Sequence, residues 1–378
     1  MAAGAMGKTQ EATRSQPPAR RSRSFTAEAW KRLCGDPWAV VSLGILGVMS
    51  LLALAAPLLP LSPPRLVRTE RQFQPPRFWP LFEYGFRSVN GEETVSSSSD
   101  ERPSREALLE EGFGQLGPLS GLLLRIRWSV FGEWCLAPIC GTDKLGRDLF
   151  SRILWGARVS LSVGIVATLV SLVIGVTYGA IAGFAGGRVD RLMMRLVDIL
   201  YSVPFIFVVI FIITIVSAEP VRNMLENRWG LSRIMIFFLV VGAIYWLTMA
   251  RVVRGQVISL RHELYVEAAR ALGVGWWRIL FRHILPNLLS VVVVYLTLTI
   301  PRVMLFEAFL SFLGLGVEPP DVSWGLLANE GLQAITPIKI YWWLVVFPGL
   351  ALALTLFALN FLGDSLRDAL DPRLKRIR

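Results

Sequence analysis

Long apolar stretches alternate with charged segments along this chain, and this pattern predicts its architecture. A helix needs about 20 apolar residues to cross the hydrocarbon layer of a bilayer, which is about 30 Å thick. We predict spans at Trp38–Leu59, Val159–Gly187, Ile199–Ser217, Ile234–Ala250, Leu288–Pro301 and Ile340–Leu362. The chain is therefore predicted to be an all-α polytopic membrane protein with six transmembrane helices.

Two of the predicted spans are less regular than the others. The third contains Pro204, which a membrane helix tolerates when neighbouring groups satisfy the freed carbonyl. The fifth stays apolar past Arg302 and Glu307 as far as Gly316. With Arg302 at the outer end of that span, none of the six apolar cores carries Asp, Glu, Lys or Arg. Since ion-coupled carriers usually have an ionisable group at the midplane, this pattern favours an energy source outside the chain.

Composition agrees with a membrane protein. Of 378 residues, 53% are hydrophobic and 18% are charged, whereas soluble domains carry about 25% charged residues. The basic N-terminal stretch precedes the uncharged run Trp38–Leu59, which is longer than the apolar region of a signal peptide. We therefore expect this run to be retained as the first helix.

The distribution of charge predicts the orientation. With the N-terminus inside, the inward segments 1–36, 188–198, 251–284 and 364–378 hold 21 Lys and Arg against 10 Asp and Glu. This excess equals the net charge of +11 for the whole chain. The positive-inside rule then places both termini in the cytoplasm. We expect these basic residues to face lipid headgroups, and we expect no nucleic-acid partner.

This orientation divides the chain into successive parts. They are a basic cytoplasmic tail (1–36), the first helix (37–60), an extracytoplasmic insertion (61–140), a transmembrane domain (141–363) and a cytoplasmic tail (364–378). The insertion begins with a polar, proline-rich and loop-like part, followed by a candidate helix at Glu106–Gly112 and a more apolar stretch at Leu116–Val130. It is either a decoration packed on the outer mouth or a contact surface for a substrate-binding protein.

The inward loop 251–284 is unusually long, and its pattern predicts two helices. Apolar residues recur at helical spacing, with charges on the opposite face, at Leu260, Leu264, Ala268 and Ala271. Gly273 and Gly275 end this helix, and a second short helix, Trp276–Ile284, leads to Pro286 in the first turn of span five. The pair Ala268–Ala269 leaves a shallow surface that another protein can approach closely. An amphipathic helix on the membrane surface explains this periodicity equally well.

The residues of this loop also resemble a known family. Glu267-Ala268-Ala269, Gly273 and Ile284-Leu285-Pro286 are similar to the EAA loop of binding-protein-dependent ABC transporter permeases. In that family the loop forms a coupling helix that docks in a cleft of the ATPase subunit. The isoleucine is offset by one residue from the commonest spacing, and His283 stands at the usual place. The resemblance implies an ATPase-coupling set of Leu264, Glu267, Ala268, Ala269, Leu272 and Gly273.

Three further stretches resemble the dipeptide, oligopeptide and nickel branch of this family, and the resemblance covers about 140–378. They are Gly141–Asp148 with Ser151-Arg152 and Gly156-Ala157-Arg158, then Leu310–Gly316 with Pro319-Pro320 and Trp324-Gly325, and finally Gly363–Pro372. The first is explained equally by a plain amphipathic helix before span two, capped by Thr142 or Asp143, with its apolar residues (Leu149, Phe150, Ile153, Leu154) at the membrane surface. The second is predicted to be an irregular outward loop, and the more specific hypothesis is that it forms a gate or a docking surface.

The resemblance implies the second, C-type permease subunit of an ATP-driven importer with the type I fold, in a bacterial inner membrane. Such a subunit forms half of a pore for peptides or a similar small solute. The implied partners are a homologous permease subunit, two ABC ATPase subunits, an extracytoplasmic substrate-binding protein and the lipid bilayer. A gradient-driven carrier and a membrane-anchored scaffold are the alternatives, and both leave the four ordered motifs unexplained.

Few residues in the chain suit catalysis or metal binding. The cysteines Cys34, Cys135 and Cys140 and the histidines His262 and His283 form no zinc pattern. Since no serine elbow or complete phosphate-binding loop is present either, we expect no catalytic residue, no metal and no cofactor. Cys135 and Cys140 fall in the predicted outward region, where a disulfide around residues 136–139 is a hypothesis.

Overall fold

The computed structural model describes residues 25–77, 82–84, 112–113, 118–132, 134–230 and 232–370. Two short antiparallel strands pair in the insertion, β1 (Phe82–Tyr84) and β2 (Trp134–Leu136). The α-helices of the described residues are α1 (Phe25–Gly35), α2 (Pro37–Ala55), α3 (Pro118–Phe131), α4 (Leu149–Ala185), α5 (Gly187–Ser202), α6 (Phe205–Ser217), α7 (Glu219–Trp229), α8 (Arg233–Leu260), α9 (Leu264–Ala271), α10 (Trp276–Ile279), α11 (Leu285–Phe312), α12 (Trp324–Gln333) and α13 (Trp343–Leu370).

Five of the six predicted membrane spans are present as single helices. Within the described residues, five helical stretches are long and apolar enough to cross a bilayer: α2, α4, α8, the continuous helix Trp276–Phe312 and α13. A sixth crossing exists if the bent pair α5–α6 counts as one span. The protein is thus a helical multi-span membrane protein, as predicted.

The predicted third span, Ile199–Ser217, is not one straight helix. The axes of α5 and α6 differ by 87° across a short break at Val203 and Pro204. Proline disfavours helical geometry at the residue before it, and Val203 is accordingly extended. The 13 residues of α6 rise only about 20 Å, so α6 alone is shorter than the apolar layer.

The predicted fifth span, Leu288–Pro301 extending outward, does continue beyond Pro301. Helix α11 continues through Pro301 to Phe312 and includes Arg302 and Glu307. Glu307 is fully buried, and it accepts hydrogen bonds from Ser311 Oγ (2.7 Å) and Ser160 Oγ (3.5 Å). Span five therefore lacks ionisable groups only if it is ended before Arg302. The absence of such groups from the six spans is consequently no argument, taken alone, for an external energy source.

Small residues set the closest helix packing, which is between α4 and α8. A Cβ on Gly175 would lie 2.6 Å from Met249 Cβ, and one on Gly183 would lie 2.8 Å from the Arg254 carbonyl oxygen. With Gly179 between them, these glycines form a four-residue repeat that lets membrane helices approach closely. Beyond this pair, Arg254 of α8 forms a bidentate ion pair of 2.6 and 2.7 Å with Asp190 of α5.

The described start of the insertion is buried at residues 61–64 and partly exposed at residues 65–77. Leu61 and Ser62 are buried, and the following backbone pairs with the segment before α4. Its hydrogen bonds join Arg68 N to the Leu145 oxygen (2.9 Å) and Thr142 N to the Gln74 oxygen (3.0 Å). The described start of the predicted loop-like part, residues 61–77, is therefore hydrogen-bonded to the segment before α4. Of the predicted helix Glu106–Gly112, all but Gly112 lies outside the described residues.

Candidate coupling loop and buried charge cluster

The loop between α8 and α11 forms a separate short helix, as predicted, but with different bounds. Helix α8 runs to Leu260, a turn follows, and α9 occupies Leu264–Ala271. Leu260 therefore belongs to α8 and not to the predicted loop helix. Gly273, with φ of +75°, turns the chain after α9, which is the left-handed conformation expected of a helix-ending glycine.

One side of α9 is packed on the transmembrane helices. Val266 and Ala269 are buried in a cluster with Val257 of α8, Ile279 of α10 and Ile284. The predicted shallow surface at Ala268–Ala269 is therefore wrong for Ala269, because residues beyond Gly273 fold back and cover it. Only Ala268 of the pair faces outward.

The other side of α9 is an exposed apolar ridge. Leu264 and Leu272 are 82% and 83% exposed, and Ala268 lies between them one turn from each. We call Leu264, Ala268 and Leu272 the α9 ridge. Glu267 is exposed beside it, so five of the six predicted coupling residues lie on the surface and Ala269 lies beneath.

Polar and aromatic contacts hold the loop against its supporting helices. Arg261 Nη1 donates to the Gly183 carbonyl oxygen at 3.2 Å, and the Arg270 guanidinium lies 5.1 Å from the centre of the Phe184 ring. On the other flank, Asn287 Nδ2 donates to Tyr265 Oη at 3.2 Å. The contacts of Arg270 and Tyr265 join α9 to α4 and α11, and that of Arg261 joins the end of α8 to α4.

The predicted second loop helix, Trp276–Ile284, is not separate from span five. Helix α10 passes through a π-helical turn at Leu280–Ile284 directly into α11, with Pro286 in the first turn as predicted. A π turn accommodates one extra residue in a helix. It contains His283 and Ile284, where the spacing departs by one residue from the commonest family pattern.

A buried charge cluster lies between α12 and the start of α4 with the segment before it. We use this name for Asp143, Arg147, Arg152 and Glu330. Arg152 is 1% exposed, and its Nη1 lies 2.7 Å from Asp143 Oδ2 and 2.5 Å from Glu330 Oε2. Arg147 joins the same carboxylates at 2.7 and 3.2 Å. Two carboxylates and two guanidinium groups therefore tie the segment before α4 to α12.

The electrostatics of this cluster favour the charged form of Glu330. Burial raises the pKa of its carboxyl group, but the hydrogen bond and charge of Arg152 and the charge of Arg147 outweigh this effect and hold the pKa below its usual value. The sequence predicted a cap at Thr142 or Asp143, whereas Asp148 caps α4 by accepting from Phe150 N at 3.0 Å. Leu149, Ile153 and Leu154, which were expected at the membrane surface, are buried in the protein.

The start of α12 is fixed beside this cluster by Trp324. Its backbone N–H donates to Ser160 Oγ at 3.2 Å, and its indole N–H donates to the Ile153 carbonyl oxygen at 3.0 Å. A Cβ on Gly325 would lie 2.5 Å from Ala308 Cα, so α12 packs directly on the α11 backbone. The irregular loop predicted between α11 and α12 is present at residues 313–323.

The hypothesis of a disulfide between Cys135 and Cys140 does not match the geometry. Both are free thiols in separate clusters, and Cys135 Sγ accepts a hydrogen bond of 3.1 Å from Arg127 Nη2. Burial raises the pKa of Cys140 to about 12, and the Asp148 charge adds to this rise. Since the thiolate is the reactive form, we expect Cys140 to be chemically inert.

Models of two protein families match parts of this chain. The model for "Binding-protein-dependent transport system inner membrane component" matches residues 175–376, and that for "N-terminal TM domain of oligopeptide transport permease C" matches residues 24–76. The "Dipeptide transport system permease protein DppC" of Bacillus subtilis is 44% identical over 62% of this chain and 69% of its own length. The "Oligopeptide transport system permease protein OppC" of Haemophilus influenzae is 46% identical over 62% of this chain and 70% of its own length. The "Glutathione transport system permease protein GsiD" of Pectobacterium atrosepticum is 42% identical over 62% of this chain and 72% of its own length.

Proposed function

The chain belongs to the binding-protein-dependent transport system inner membrane components, and from this premise we propose that it is one of two pore-forming subunits of an ATP-driven peptide importer. In this proposal a homologous permease supplies the other half of the pore. Two ATPase subunits bind on the cytoplasmic side and a substrate-binding protein docks outside. ATP hydrolysis takes place on the partners.

The α9 ridge is the observation that carries the coupling role. Three apolar or small side chains stand outward on an eight-residue helix whose opposite side is buried. An apolar surface of this kind suits a partner protein that buries it. Glu267 beside the ridge adds one negative charge that orients the contact.

The rigid support of α9 explains how a push on the ridge would reach the pore. Val266 and Ala269 pack against α8, α10 and the π turn, and the last two continue directly into α11. Movement of α9 by a nucleotide-driven partner would therefore tilt α8 and α11 together. This tilt would switch the pore between outward and inward access.

A peptide or peptide-like solute is the substrate class that the relatives support. Their names specify transport of dipeptides, oligopeptides and glutathione. We extend this class to the present chain and place the N- and C-termini in the cytoplasm, in accord with the distribution of basic residues.

Affinity purification in mild detergent from the native host tests the proposal. The tagged wild-type chain should recover a second permease and ATPase chains, identified by mass spectrometry. Glu267→Lys should lose the ATPase chains and keep the permease, because it reverses the charge beside the ridge. Glu219→Lys, the same change on exposed α7, is the matched control and should keep both partners.

Two results would contradict the proposal. Purification of the wild-type chain alone would remove the basis for an ATP-driven complex and would favour a gradient-driven carrier. If both Glu267→Lys and Ala268→Arg recovered ATPase chains at the wild-type level, the ATPase contact would lie elsewhere. Helix α9 would then be a membrane-surface helix.

A further inference from the structure

Helix α3 of the insertion has three distinct sides. Since successive residues are 100° apart around a helix, Ser120, Leu124 and Arg127 fall on one side, which is buried in the protein. A second side carries Leu122, Ile126 and Val130, which are 56%, 43% and 67% exposed. The third side is exposed and polar, with Arg125 and Ser129. Among the described residues, helix α3 thus has one buried side and two adjoining exposed sides, one apolar and one polar.

A buried arginine fixes the position of α3 relative to the first transmembrane helix. Arg127 is fully buried, and it donates to the carbonyl oxygens of Leu59 (3.0 Å), Leu61 (3.1 Å) and Trp134 (3.4 Å). Leu59 lies four residues beyond Ala55, where α2 ends. The middle of α3 is therefore held at the level where the chain leaves the membrane.

The lipid-facing surface of α2 extends to the same level. Val48, Leu51 and Leu54 are each more than half exposed, and Leu58 continues the exposed apolar surface into the turn that precedes Leu59. In a multi-span membrane protein such a surface is covered by acyl chains. The uncovered apolar side of α3 therefore begins where a surface covered by lipid ends.

We propose that α3 is an interfacial helix that lies on the membrane face at which α2 ends, which is the outer face in the orientation proposed above. Leu122, Ile126 and Val130 insert among the upper acyl chains, and the adjoining polar side lies at the level of the headgroups. A helix with one apolar and one polar exposed side is typical of this position. The insertion is thereby anchored to lipid as well as to the transmembrane helices.

Fluorescence quenching of the full-length chain in lipid nanodiscs tests this proposal. A thiol-reactive bimane is attached to Ile126→Cys, and Arg125→Cys is the matched control one position away on the polar side. Both variants carry Cys34→Ser, because Cys34 is the exposed native thiol and Cys135 and Cys140 are buried. The labelled parent with Cys34→Ser alone supplies the background signal.

The expected result is opposite quenching at the two positions. Phospholipids brominated in the upper acyl chain should quench the label at Ile126→Cys at least twice as strongly as that at Arg125→Cys, and aqueous iodide should show the reverse order. Val130→Cys should behave as Ile126→Cys and replaces it if that variant does not fold.

Two outcomes would overturn the proposal. Equal iodide quenching at Ile126→Cys and Arg125→Cys would show that the apolar side faces water. Protection of Ile126→Cys and Val130→Cys from both quenchers would show that another protein surface covers this side, such as a second subunit.

Discussion

Arg152 shows how single residues connect distant parts of this chain. Its guanidinium is almost completely enclosed, and it bonds to a carboxylate nine residues before it and to Glu330, which is 178 residues after it. A buried charge is tolerated only when its partners remain in place, because removal of one partner leaves the other charged group without compensation in a poorly solvated site. The attachment of α12 to the segment before α4 therefore depends on Glu330.

Replacement of Glu330 with glutamine should destabilise the protein by about 3 kcal/mol, the range for breaking a buried ion pair. The amide keeps the shape of the carboxylate but not its charge, so Arg147 and Arg152 lose half of their counter-charge. Thermal unfolding of the purified chain in detergent measures the effect as a lower midpoint. Glu219→Gln removes an exposed charge from α7 and should leave the midpoint within error. Equal midpoints for Glu330→Gln and wild type would contradict this role of the cluster.

The same residue predicts a pH dependence. Because the folded-state pKa of Glu330 lies below its unfolded value, its contribution is complete above the unfolded pKa of about 4.3. It is lost as pH falls through the lower folded-state pKa. The difference in unfolding midpoint between wild type and Glu330→Gln should therefore be constant from pH 7 to pH 5 and shrink below pH 4. If the difference between the two midpoints grew on acidification, the folded-state pKa of Glu330 would be raised and not lowered.

At the scale of elements, the sequence predicts the presence of the short helix α9 better than it predicts which of its residues are buried. Helical spacing and Gly273 correctly indicated a helix followed by a turn. The burial of Ala269 could not be predicted, since its covering residues follow the turn and pack only after the chain reverses. The continuity of α10 with α11 was missed for a related reason, because a π turn leaves no periodic signal over five residues.

Gly273 should be required for the shape of this loop, whereas Gly275 should not. Gly273 has φ of +75° and Gly275 has φ of −61°, and neither would place a Cβ within 4 Å of another group. Gly273→Ala should therefore cost about 1 kcal/mol through backbone conformation alone, and Gly275→Ala almost nothing. Limited trypsin digestion at the exposed Arg270 measures local opening, and it should be about fivefold faster for Gly273→Ala. Equal digestion rates in the two variants would show that the turn is not under conformational control.

At the scale of the whole molecule, the apolar runs predicted the number and order of spans because each run reflects local composition. Interactions between distant segments left no comparable signal. The pattern of apolar residues does not show the bend at Pro204, and it leaves the outer boundary of span five undefined beyond Pro301. Asp143 and Arg147 stand at a spacing that hints at an ion pair, but nothing in the sequence points from them to Glu330.

The two ends of the described chain meet at one membrane face. Asp36, between α1 and α2, accepts a hydrogen bond of 2.6 Å from Ser365 Oγ of α13. Leu33 of α1 and Ala39 of α2 pack with Ala369 near the end of α13. This geometry supports the prediction that both termini lie on the same side, and the excess of basic residues supports the cytoplasm as that side.

The native cysteines allow this orientation to be measured with little change to the protein. Cys34 is exposed in α1, while Cys135 and Cys140 are buried, so a membrane-impermeant maleimide should label the folded chain only at Cys34. In intact spheroplasts we expect no labelling, and after lysis we expect one label per chain. Asn227→Cys on exposed α7 places a thiol in the segment predicted to face outward, and it should react before lysis. Labelling of Cys34 in intact spheroplasts, with Asn227→Cys protected until lysis, would invert the orientation and would place the α9 ridge on the side opposite to any cytoplasmic ATPase.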